Sequence, residues 1–134
     1  MTEVEIWTLW SSNRIGNGLY MIAGVLSIWL ALRVAASTRS SEESNIVTKI
    51  LASIFGIITL MMNTFSGSIA VNNYIITSGN LNALSEKSET ATGFIEWSAQ
   101  NFGTEIVSFP GGIYALFSLT VLALILGMIW TPKK

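Results

Sequence analysis

Asn63 is the one strongly polar side chain deep inside an apolar stretch of this chain, and the chemistry open to it is narrow. A carboxamide can contact a substrate or ion, or it can hydrogen-bond across to a neighbouring helix. The structural bond is the simpler reading. Thr59 and Ser66 lie close to it in sequence and could extend a polar path. Glu96 and Glu105 are the nearest approach to paired carboxylates, nine residues apart in a polar segment. They share no catalytic or calcium-loop spacing with any other acid. Gly16-Asn17-Gly18 opens an apolar run with no strand before it, so it is not a nucleotide-binding turn.

The missing residue types exclude more. The sequence has no Cys, His or Asp. That removes thiol nucleophiles, disulfides, thiolate metal sites and the commonest general base. A net charge of -1 without a basic patch argues against nucleic acid as a partner. No enzyme activity and no cofactor are expected, although a bound lipid is compatible with the composition.

Three apolar segments must position whatever function exists. They cover residues 15–36, 46–76 and 110–130. Each can cross roughly 30 Å of hydrocarbon as a helix. Only 11% of residues are charged, against about 25% in soluble domains. The expected fold is therefore all-α and integral to a membrane: one membrane domain, residues 1–134, with three transmembrane helices plus a short interfacial helix in the second loop. Glu3 and Glu5 stand where a cleaved signal peptide would carry positive charge. No acid or His lies within a span, so a proton relay of the usual kind is not expected.

Finer expectations follow from local signals. Residues 1–14 read as an interfacial segment leading into the first span. Ser40-x-x-Glu43 has the spacing of a capping box and predicts that the second helix starts there, before the membrane. Ser78-Gly79-Asn80 should stop it, leaving residues 78–109 as the outer loop. Within that loop, residues 93–101 should form a short helix, capped by Thr92 and ended by Gly103, with Phe94, Ile95, Trp97 and Phe102 on its apolar side. Pro110 suits the first turn of the third span.

Charge sets the orientation. Arg14 and Lys87 fall on one side; Arg33, Arg39, Lys49, Lys133 and Lys134 fall on the other. The positive-inside rule places the second group in the cytoplasm, so the N-terminus is outside and the C-terminus cytoplasmic. Trp7, Trp10 and Trp97 are expected as anchors at the outer interface and Trp130 at the inner one.

In lipid, helices associate through small residues and interhelical hydrogen bonds. The first span carries Ala23, Ser27, Ala31 and Ala35 at steps of four. The second carries Gly56, Thr59, Asn63, Gly67 and Ala70. The third carries Gly111, Ala115, Ala123 and Gly127. These seams can bury against one another or against other subunits. The function read from this pattern is a small accessory subunit of a larger membrane complex, partnered by lipid and by other integral membrane subunits. The alternative is a homo-oligomeric channel or small transporter with a pore lined by the second helix.

Overall fold

The structure is a computed structural model describing residues 1–132. Lys133 and Lys134, which contribute to the charge count above, lie outside the described residues. Among the described residues the fold is all-helical, with α1 at Glu3–Ser40, α2 at Ile46–Asn82, α3 at Glu89–Phe102 and α4 at Gly112–Trp130. Helices α1, α2 and α4 are long and apolar enough to cross a membrane. At 38 residues, α1 extends roughly 57 Å at ~1.5 Å per residue, well beyond a ~30 Å hydrocarbon core.

Local chemistry explains the boundaries, and several differ from expectation. The segment expected to lead into the first span is helical and continuous with it, because α1 runs unbroken from Glu3. Its start is a reciprocal capping box: Thr2 N–H donates to Glu5 Oε2 at 2.7 Å, and Glu5 N–H donates to Thr2 Oγ1 at 3.3 Å. The polar run Ser11–Arg14 contains neither Gly nor Pro, so nothing in it interrupts the helix. The capping box expected at Ser40 and Glu43 does not form. Ser40 Oγ instead donates back to Ser37 O at 3.1 Å, inside the last turn of α1. Asn45 starts α2, its Oδ1 accepting from the N–H groups of Val47 at 2.9 Å and Thr48 at 3.2 Å.

Nor does Ser78-Gly79-Asn80 end α2, which continues to Asn82. Leu81 is fully buried beside Ile6 and Ala91, and this packing outweighs the weak helix propensity of the preceding residues. Helix α3 begins earlier than expected because Ser88 is its cap, accepting from Ala91 N–H at 3.1 Å. Thr92 Oγ1 donates to Ser88 O and so belongs to the first turn. Gly103 ends α3 at φ 79°, where an L side chain would be strained. Pro110 stands before α4 rather than within its first turn. Gly111, at φ 121°, takes the cap position and the helix starts at Gly112.

The chain divides into two compact units. The first comprises Met1–Tyr20 and Ser66–Pro110; the second comprises Met21–Phe65 and the residues from Gly111 onward. The core of the first gathers Ile6, Leu81 and Ala91, with Trp7, Leu84, Phe94 and Ile95 packed around them. The core of the second gathers Ala31 and Ala35 of α1, Ala52 and Leu60 of α2, and Val121, Ile125 and Ile129 of α4.

Candidate functional site: a helix-packing seam and an aromatic cluster

Within the second unit, backbone proximity follows from small side chains. Gly24 is buried, and the Asn63 carboxamide occupies the place a Cβ on Gly24 would need. Ser27 Oγ donates to Gly24 O at 2.8 Å, filling a backbone acceptor in its own helix. Asn63 Nδ2 then donates to Ser27 Oγ at 3.2 Å and to Thr59 O at 2.9 Å. Thr59 is only 5% exposed. Gly56 faces α4, where an added Cβ would lie 2.8 Å from Ile125 Cγ2.

The three expected seams fare differently. On α1, Ala31 and Ala35 are buried and Ser27 is half-buried, but Ala23 is exposed; the contact continues through Gly24. On α2, Gly56, Thr59 and Asn63 pack in the second unit, while Gly67 is buried and Ala70 half-buried in the first. On α4 the small-residue line is not the packed line. Gly111, Ala123 and Gly127 are exposed and Ala115 is half-buried, whereas Val121, Ile125 and Ile129 are buried. The reason is volume. Where α1 and α2 present Ala and Gly, a third small surface would leave voids, so α4 contributes branched side chains that fill them.

The first unit holds an aromatic cluster. Ring centroids lie 5.2 Å apart for Trp7 and Phe94, 4.6 Å for Trp10 and Tyr74, and 4.6 Å for Tyr74 and Phe102. Trp97 meets Phe102 edge-on at 5.5 Å while remaining 46% exposed. The Arg14 guanidinium carbon sits 5.5 Å from the Trp10 ring and 5.1 Å from Tyr74, within cation–π range. Trp7, Trp10 and Trp97 thus share one cluster through Phe94, Tyr74 and Phe102. Trp130 belongs to the second unit, where its indole N–H donates to Ser53 Oγ at 2.9 Å and Lys49 Nζ lies 5.8 Å from its ring.

Side-chain amides organise the rest of the first unit, a role that the sequence pattern did not reveal. Asn72 pairs with the Val107 peptide in both directions: Nδ2 donates to Val107 O and Oδ1 accepts from Val107 N–H, each at 2.9 Å. Ser68 Oγ donates to Ser108 O at 2.9 Å. Asn73 Nδ2 donates to Asn17 Oδ1 at 3.3 Å. The Asn72 and Ser68 bonds fix the irregular segment at Val107 and Ser108, which supplies none of its own ladder, and the Asn73 bond ties α2 to α1. The signal available in advance was only the clustering of Asn72 and Asn73 near the expected outer boundary of the second span.

Glu3 joins α1 to α3. Its Oε1 accepts from Ser88 Oγ at 2.6 Å and from Trp7 Nε1 at 3.0 Å, and its Oε2 accepts from Ser88 N–H at 3.0 Å. The Ser88 bonds first, and Trp7 after them, hold the Glu3 carboxyl below its ordinary pKa. Glu96 and Glu105 are both exposed. Among the described residues no three His, Cys, Asp or Glu side chains come together in a way that could hold a metal ion. Compared with known proteins, the chain matches no family model, no curated protein and no solved structure.

Proposed function

We propose that this chain is a multi-pass integral membrane protein acting as a small accessory subunit of a larger membrane complex. In this reading α1, α2 and α4 cross the bilayer, the N-terminus and residues 78–109 are outside, and the C-terminus is cytoplasmic. Its partners are lipid and other integral membrane subunits. It supplies packing surface rather than catalysis and needs no cofactor.

The observation that carries this reading is the inward use of the polar seam. Asn63 is spent on Ser27 and Thr59 within the chain's own fold. What α2 turns outward there is Ile57, Ile58, Met61, Met62 and Phe65, the last of these 68% exposed. A pore needs groups that replace an ion's hydration shell, and this face has none. Such a face suits acyl chains or the apolar surface of another subunit. A lipid-processing enzyme lacks support for the same reason, since no base or nucleophile accompanies the apolar face.

The test is site-specific photo-crosslinking in native membranes from Met62 and Phe65, with reporter fusions after Ser41 and Glu89 for topology. The proposal expects adducts with a larger membrane subunit, a cytoplasmic signal after Ser41 and an external one after Glu89. Adducts with copies of this chain alone would favour the channel reading.

A further inference from the structure

A cavity of about 240 Å³ opens in the second unit between the end of α1, the turn after it, the start of α2 and the end of α4. Its apolar part includes Ile129 and its polar part includes Arg39, Lys49, Glu42, Ser41 and Ser44. Two cations against one carboxylate leave it positive. Among the described residues neither Arg39 nor Lys49 forms an ion pair with Glu42; Lys49 instead lies over the Trp130 ring at 5.8 Å. Ser41 Oγ accepts from Glu43 N–H at 3.2 Å, which leaves its hydroxyl hydrogen to donate. The first free N–H groups of α2 are already taken by Asn45, so recognition falls to side chains. The volume far exceeds the ~15 Å³ that one water needs.

We propose that this cavity binds a phosphate group, and that its carrier is an anionic phospholipid. The proposal rests on the membrane reading above. Guanidinium and ammonium groups with a neighbouring hydroxyl are the donors a phosphate diester requires. The carrier follows from position. Lys49 directly precedes the apolar run of α2 that begins at Ile50, and Trp130 is the last residue of α4. Cation and indole together mark the level of lipid headgroups. Exposed Ile50, Leu51 and Ile54 continue from Lys49 along α2 as a surface for acyl chains. The charge-based orientation places this end in the cytoplasmic leaflet, where anionic lipids create the negative surface potential.

The test uses the full chain in nanodiscs containing equal parts phosphatidylcholine and phosphatidylglycerol, with retained lipids identified by native mass spectrometry. Phosphatidylglycerol should be retained in preference. The double variant Arg39→Gln, Lys49→Gln should lower its retention by about tenfold or more. Glu42→Gln should raise it, and Arg14→Gln, in the other unit, should leave it unchanged. Equal retention of both lipids, or retention indifferent to the double variant, would overturn the phosphate site. Displacement of phosphatidylglycerol by millimolar inorganic phosphate would overturn the lipid as its carrier. A chain that fails to enter the discs contradicts the membrane reading itself, and with it this site.

Discussion

The Asn63 carboxamide donates to the Ser27 hydroxyl at 3.2 Å, joining α2 to α1 inside the second unit. Hydrogen bonds between helices in lipid are worth only about 0.6–2 kcal/mol. Asn63→Leu and Ser27→Ala should therefore each cost ~1 kcal/mol, with the double variant costing less than the sum. Unfolding of the four proteins in detergent checks this. Strict additivity would show that the two side chains are not coupled.

Steric limits should be harsher than the loss of that bond. Gly24→Leu drives a side chain into the space of the Asn63 carboxamide, and Gly56→Leu drives one into Ile125. Each should destabilise the fold by about 1–3 kcal/mol or more. Gly18→Ala meets no atom within 4 Å and should be neutral or stabilising by up to ~1 kcal/mol. Thermal unfolding would order the variants. Equal effects at positions 18 and 24 would refute the close approach.

Asn72 imitates a strand neighbour for Val107 by both donating to and accepting from its peptide. Asn72→Leu removes both bonds, and Asn72→Asp keeps only the one that it accepts. Amide exchange at Val107 should accelerate in both variants, more in the leucine one, while exchange in α4 stays unchanged. Unaltered exchange at Val107 would mean that the segment is held by other contacts.

Glu3 makes the attachment of α3 pH-dependent. Its folded pKa is depressed, chiefly by the Ser88 bonds. The stabilisation is therefore fully present above the unfolded value of about 4.3, and it is lost as pH falls through the lower folded value. The Ser88 amide chemical shift should titrate with a midpoint below that of an ordinary glutamate. Glu3→Gln should abolish the titration. A midpoint at the ordinary value would show that these bonds do not favour the ionised form.

The three long apolar helices could be read from composition because crossing a membrane needs only length and hydrophobicity. Gly103 was legible as a stop because left-handed backbone favours Gly. The boundary at Ser40 was not. A hydroxyl four positions into a polar run can cap the next helix or bond back into the last, and only the folded chain decides. Leu81 carries α2 past Gly79 through a tertiary contact with Ile6 and Ala91, which no local pattern encodes. On α4 the small residues suggested a seam, yet the packed line is Val121, Ile125 and Ile129. The complement to a small surface is bulk, and a pattern within one helix cannot show which surface its neighbour presents. Asn72 looked like a boundary residue because its partner, Val107, is 35 residues away.

Whether this chain serves as an accessory subunit is decided by its native mass after mild detergent extraction, with every co-purifying chain identified. A fixed stoichiometry with larger, unrelated membrane subunits is expected, with no ion conductance from the isolated chain in liposomes. A homo-oligomer of this chain alone, conducting ions and losing that conductance on Asn63→Leu, would contradict it.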